Sequence, residues 1–361
     1  MKKNTLLIGT RRGLIVYRRV GNSWEFESEH HLGVPVSYAM ADPRTGKWWA
    51  CLDHGHWGCK LHFTADRGKS WVEVPAPQYP EGAEIDDDKP AALKYIWVLT
   101  PGLDSQPGRL YAGTEPGGLF HSDDDGLTWE LNEGLWNHPT RKKGWFGGGR
   151  TYAAIHSILV NPADENHVHI SISCAGTFET LDGGQTWQPR NKGLSADFLP
   201  DPTIEVGQDP HLVAAHPGQF EVMWQQNHCG IYRTTDGAAT WENISQKDGP
   251  ANFGFGIIAD EKNLDEAWVV PAISDVMRVT IDRALCVCHT TDGGKTWSQQ
   301  RKGLPQAHSY DLVYRHAMDI TADTLAFGST TGNVFYSEDR GENWSVLSNY
   351  LSDVYSLRFA E

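Results

Sequence analysis

The sequence predicts an all-β chain whose 361 residues form one domain, a single seven-bladed β-propeller. Three observations predict it: an eight-residue turn pattern recurring at near-constant spacing, the same run of short strands around each copy, and an unpartnered apolar strand at the C-terminal end. A repeat architecture also explains how so long a chain can be one domain, since each unit buries its apolar face only against its neighbours.

The turn pattern is Ser/Thr-x-Asp-x-Gly-x-x-Trp. It reads TADRGKSW (Thr64 to Trp71), SDDDGLTW (Ser122 to Trp129), TLDGGQTW (Thr180 to Trp187), TTDGAATW (Thr234 to Trp241), TTDGGKTW (Thr290 to Trp297) and SEDRGENW (Ser337 to Trp344). A worn copy, YRRVGNSW (Tyr17 to Trp24), keeps Gly21 and the tryptophan but has Arg19 where the aspartate should be, and another copy carries Ala238 in place of its glycine. Successive tryptophans lie 47, 58, 58, 54, 56 and 47 residues apart, a regularity that marks a repeated structural unit. Each residue type has a physical task in a tight hairpin. Asp and Ser/Thr side chains bond nearby backbone amides. Gly supplies a positive-φ position, and Trp offers a broad plate to insert between adjacent sheets.

Two strands precede each box, as in HVHISIS and GTFETL, and one follows, as in TWQPRN. A further apolar strand comes before those, as in HSILVNP (His156 to Pro162), which makes four per unit, the make-up of a propeller blade. The first unit, beginning at LLIGT, lacks an inner strand, while the last is followed by YSLRFA (Tyr355 to Ala360). The two ends are therefore expected to complete one blade together and close the ring, which selects seven blades over six or eight.

The boxes resemble the BNR/Asp-box repeats of sialidases, xyloglucanases, sortilin-type receptors and photosystem II assembly factors, and the resemblance runs the whole length of the chain. Segments such as IHSI, QDPH, QNHCGIYRT and FGF are similar to those of bacterial propellers of about this length, of sialidase-like or assembly-factor-like kind. The resemblance implies the fold. Propellers host unrelated activities, so function has to be argued from the site.

Composition narrows the partners. With 46 acidic against 31 basic residues the formal net charge is −15, which repels a phosphate backbone, and no nucleic-acid partner is expected. No apolar run reaches the roughly 18 residues of a spanning helix, so no membrane association is expected. The N-terminal MKKNTLLIGTRR has too short an apolar stretch before Arg11 and Arg12 for a signal-peptide core, and the expected location is cytoplasmic. The six cysteines (51, 59, 174, 229, 286 and 288) show neither CxxC pairs nor zinc-knuckle spacing. Reduced thiols filling small apolar gaps are expected.

The boxes occupy one edge of the disc. The opposite edge carries the blade-to-blade connections, longest over blades three to five, and the turns between second and third strands; long loops on a rigid scaffold are where sites lie. Aligning the inner strands gives a ring of residues at that mouth of the central channel: Ser37, Tyr95, His156, His211, Phe255, His316 and Tyr355. Imidazoles on radial strands converge on the axis, so His156, His211 and His316 are candidate ligands for one divalent or transition metal ion. The competing reading is a polar plug or a set of substrate contacts. The blade-five turn QNHCGIY brings His228 and Cys229 to the same face, the blade-two turn LDHGHWGC brings His54 and His56, and Asp209 is placed to orient His211. Arg12, Arg150, Arg278 and Arg315 supply cations for a carboxylate or phosphate, with Arg150 set apart by the glycines of WFGGGR. The acidic run at 86–88 reads as a solvated loop tip.

Two classes of function fit. In the first, an enzyme of lyase or hydrolase type works at the mouth on a small-molecule, anionic or carbohydrate-derived ligand. The metal would act as Lewis acid, Arg150 and Arg315 as clamp and His228 or Tyr95 as base, while Phe255, Arg278 and Tyr355 contact the substrate. Oligogalacturonate lyases, another seven-bladed group, supply the analogy. In the second class the propeller is a non-catalytic binding or assembly scaffold. Residues spent on the mouth favour the first. A sialidase-like glycoside hydrolase is disfavoured, because that resemblance calls for an Arg-Ile-Pro motif and the sequence has none. Xyloglucanases set their carboxylates between two propellers, and this chain has the repeats of one.

Overall fold

The computed structural model describes residues 3–361; Met1 and Lys2, at the head of the MKKNTLLIGTRR segment, lie outside the described residues. Seven four-stranded antiparallel sheets form the blades. Blade 2 is typical, running outward from Val36–Ala41 through Trp48–His54 and Gly58–Thr64 to Val72–Val74. Blades 3 to 7 repeat this order from the inner strands Tyr95–Pro101, Ile155–Asn161, Pro210–His216, Gly254–Ala259 and Met318–Thr321. Blade 1 is composite. Its inner strand is Val354–Ala360, paired with Thr5–Thr10 in a register from Thr5↔Ala360 to Gly9↔Ser356, and Gly13–Val20 and Ser23–His30 complete it. The expected ring closure is observed. Between blades 3 and 4 sit two single-turn helices, Glu133–Trp136 and Arg141–Gly144.

The box turns behave as their composition requires. In each of the six complete copies the aspartate accepts the N–H four residues on, at 2.8–2.9 Å, and the Ser/Thr hydroxyl donates to the same carboxylate. Hydrogen bonds from Thr186 and Thr180 hold the Asp182 carboxyl down at about 2. Ala238 adopts φ 65, the left-handed conformation that glycine takes in the other copies. In the worn copy Arg19 has a different use: it pairs with Glu338 of blade 7, which also accepts the Trp24 indole N–H at 3.2 Å.

The tryptophans join neighbouring blades. The indole N–H of Trp129 donates to the Pro75 carbonyl, that of Trp241 to Arg190 and that of Trp297 to Ile244, each in the preceding blade's outer segment. Trp187 donates to Asn132 in the same way. Burial is uneven, however. Trp187, Trp241, Trp297 and Trp344 are buried between blades, but Trp71 and Trp129 insert less fully and are only half-buried. All six cysteines are free thiols.

Candidate functional site

Six of the seven inner strands carry an irregularity at one height. The pairing register slips past Ser37 in blade 2, Trp97 in blade 3, His156 in blade 4, His211 in blade 5, Phe255 and Gly256 in blade 6, and Tyr355 in blade 1. A bulge adds a residue to one strand and re-aims its side chain. Here the repeated bulge builds the ring at the channel mouth. In blade 3 the bulged residue is Trp97, whereas the sequence alignment put Tyr95 there; bulges carry no sequence signal, and Tyr95 sits two residues nearer the mouth.

The ring floors a cavity of about 550 Å³ at the loop-rich edge. Of the residues singled out from the sequence, Tyr95, Arg150, Asp209, His211, His228, Phe255, Arg278, Arg315, His316 and Tyr355 are in its wall, and His156 is not. Arg12, His54, His56 and Cys229 are also outside it.

His156, His211 and His316 do not form one site; among the described residues they do not bring ligand atoms within 4.8 Å of one another. His156 is fully buried, bonds Ser157 Oγ through Nδ1 at 3.0 Å and lines a second cavity on the far side of the channel. Arg315 lies across Trp97, which His156 meets edge-on, and so takes the mouth-side place. His316 lines both cavities and accepts from Arg358 Nη2 through Nδ1 at 3.0 Å. Burial, with Arg315 beside one and Arg358 beside the other, holds both imidazoles well below their ordinary range. Both are buried and neutral.

What the structure does gather is Asp209, His211 and His228. Asp209 Oδ1 accepts the Cys174 N–H at 3.1 Å and the Ser173 hydroxyl at 3.4 Å. Its Oδ2 lies 3.2 Å from His228 Nδ1 and 3.5 Å from His211 Nε2. Burial raises the Asp209 carboxyl, but its contacts with the two histidines and the charge of Arg315 outweigh that and hold it well below the carboxylate range. The sequence reading of Asp209 as a partner of His211 understated it, since it joins both rings.

Three arginines face this cluster. Arg150 pairs with the buried Glu115 and lies over Tyr95, its guanidinium carbon 4.0 Å from the ring centre. Arg278 donates through Nε to the Asp275 carbonyl at 2.8 Å. Arg315 is held between the faces of Trp97 and Phe255, at 4.8 and 5.3 Å. Among the described residues its one hydrogen bond is a long one, 3.4 Å to Ser173 Oγ, Nε has no hydrogen-bond partner and no carboxylate lies at ion-pair distance. Burial pushes its guanidinium down to about 10, so it remains charged at neutral pH. This guanidinium is set in aromatic walls, with the charge of Asp209 acting on it from beyond ion-pair distance.

Fold and site together define a class: a seven-bladed propeller of Asp-box repeats with a polar, arginine-lined cavity at the loop-rich mouth of its channel. No protein-family profile matches the chain. Xyloglucanase Xgh74A of Acetivibrio thermocellus is 22% identical to it over 302 residues, which cover 73% of this chain and 33% of the enzyme. The chain thus spans about a third of that relative's length. Photosystem II assembly protein Ycf48 of a Synechococcus strain is 21% identical over 308 residues, covering 82% of this chain and 71% of its own. Both relatives are β-propellers. Among solved structures, Ycf48 bound to a D1 peptide matches with a TM-score of 0.56 at 15% identity, over 93% of this chain and 89% of that one. No helix among the described residues is long and apolar enough to cross a membrane.

Proposed function

We propose that the mouth cavity binds a small carboxylate-bearing, sugar-derived molecule and that the propeller is an enzyme acting on it, of lyase or hydrolase type. The observation that carries this reading is Arg315. A guanidinium with no carboxylate at ion-pair distance among the described residues, stacked between two aromatic faces and opening into a 550 Å³ cavity, is suited to a bidentate anion. The cavity size suits a mono- or disaccharide. Arg278 and Arg150 extend the positive wall, and Tyr95, Phe255 and Tyr355 give the apolar faces on which a sugar ring stacks. Opposite them, the Asp209, His211 and His228 cluster presents its partly exposed member, His228, to the cavity, with Asp209 and Asp275 at its two ring nitrogens.

A second reading has its own support. Ycf48 is similar to this chain over most of its length and binds a peptide, and a peptide's C-terminal carboxylate would also satisfy Arg315. The propeller would then be a binding scaffold without catalysis. One ligand panel separates the two. Thermal shift with galacturonate, glucuronate, the matching neutral sugars, and a peptide with free or amidated C-terminus is run on wild type and Arg315→Gln. The enzyme reading expects the uronates alone to raise Tm, and the gain to vanish in Arg315→Gln. Equal stabilisation by neutral sugars, or by uronates in both proteins, would refute it.

A further inference from the structure

We propose that Asp209, His211 and His228 bind one divalent transition-metal ion, open on one side to the mouth cavity; the proposal rests on the reading of that cavity as the ligand site and adds its cofactor. Four features of the cluster support this.

The separations fit. Asp209 Oδ2 is 3.2 Å from His228 Nδ1 and 3.5 Å from His211 Nε2, and all three ligand atoms lie within 4.8 Å of one another. An ion with ligands at about 2.1 Å in tetrahedral array holds them about 3.4 Å apart.

The tautomer of His211 fits as well. Its Nδ1 lies 2.6 Å from the Gly254 carbonyl oxygen, which can only accept, so the proton is on Nδ1. With Nδ1 so engaged, Nε2 is the nitrogen presented to Asp209 Oδ2, 3.5 Å away, and it is the atom available to an ion.

Each ligand is oriented from behind. The other oxygen of Asp209 is taken by Cys174 N–H and the Ser173 hydroxyl, and His228 Nε2 lies 3.5 Å from Asp275 Oδ2. Outer partners of this kind, a backbone carbonyl for one histidine and a carboxylate for the other, set ring orientation at metal centres. Aromatic rings also pin both imidazoles: Phe255 stacks on His211 at 4.5 Å, and Phe198 meets His228 at 4.9 Å.

The fourth feature is the open side. Three protein ligands leave a position facing the cavity, where Arg315 and Arg278 supply positive charge. An anionic ligand therefore completes the coordination and offsets the arginines, so metal and carboxylate should strengthen each other's binding.

A second His/Glu cluster lacks these features. In blade 4, Glu179 accepts from His167 at 2.8 Å and from Arg190 at 2.6 Å, with His169 3.1 Å away. The guanidinium already neutralises the carboxylate, and Phe220 closes over both histidine rings.

The test is titration of chelator-treated full-length protein with Co²⁺, followed by visible absorption and calorimetry, for wild type, Asp209→Asn, His228→Ala and His167→Ala. His228 is partly exposed, so its variant retains the fold, which circular dichroism checks. We expect one Co²⁺ per chain, an affinity loss of about tenfold or more in Asp209→Asn and His228→Ala, and no change in His167→Ala. No saturable binding below about 1 mM, binding indifferent to both mouth substitutions, or binding lost in His167→Ala would each overturn the proposal. Uronate binding that depends on Arg315 but needs no metal would overturn the metal site and leave the reading of the cavity intact.

Discussion

Replacing Trp187 with alanine tests how the blades are held together. The side chain is 3% exposed, and its indole N–H reaches Asn132 Oδ1 at 3.0 Å and the Gly184 carbonyl at 3.2 Å. Burying about 200 Å² of aromatic surface at roughly 25 cal/mol/Å² contributes about 5 kcal/mol, and core Trp→Ala changes cost about 3–5 kcal/mol. Asn132 Oδ1 keeps the Leu135 N–H at 2.9 Å, so that acceptor is not stranded and the loss stays in that range. Trp129 makes the same kind of inter-blade hydrogen bond but is only half-buried, so Trp129→Ala should cost about half as much. At about 2.1 cal/mol/K per residue, unfolding this chain carries roughly 0.8 kcal/mol/K, which makes the expected Tm drop about 4–7 °C for Trp187→Ala. Urea unfolding of the two variants beside wild type measures the difference. If Trp129→Ala lost as much as Trp187→Ala, or more, burial between blades would not be what makes these tryptophans stabilising.

Three further outcomes are expected. Asp182→Asn should melt lower than wild type at neutral pH. Because the folded-state pKa of Asp182 is depressed to about 2 from 3.8, the wild-type advantage should be full above pH 4 and fade as pH falls toward 2; a gap that stays constant down to pH 2 would contradict the hydrogen-bonded turn. Gly303→Ala would place a Cβ 1.9 Å from the Trp344 carbonyl oxygen at φ 89, so it should cost at least about 2 kcal/mol. Gly237→Ala, with φ 67 and nothing within 4 Å, should cost only about 1 kcal/mol, as read by their urea midpoints. Removing residues 354–361 deletes the inner strand of blade 1 and should abolish cooperative unfolding, whereas a sharp wild-type-like melt would contradict closure.

The fold was legible because its signal is local and repeated. A box such as Thr180 to Trp187 carries its own hydrogen-bond partners, and the apolar strand at Tyr355 to Ala360 had no partner except at the N-terminus. The edge of the disc that holds the site was legible too, since Arg150, His228, Arg278 and Arg315 come from the long connections and turns. Side-chain direction at the ring was not. His156 and His211 occupy equivalent bulges, yet one turns to each side of the channel, because Arg315 has taken the space over Trp97. Nothing local to IHSI or QDPH encodes that, since the deciding residue lies in a connection two blades on. Trp97 was missed because a bulge shifts which residue faces the axis. Asp275 was missed because its contact with His228 comes from the second-to-third strand turn of the next blade.

The central claim is that Arg315 receives the carboxylate of the ligand. Its most direct measurement is a crystal structure of the protein with whichever acid in the panel stabilises it most. The account predicts one carboxylate in the mouth cavity, with an oxygen about 2.7–2.9 Å from a terminal nitrogen of Arg315, and the rest of the molecule against Tyr95, Phe255 or Tyr355. A carboxylate bound away from Arg315, or a ligand lodged only in the cavity on the far side of His316, would contradict it.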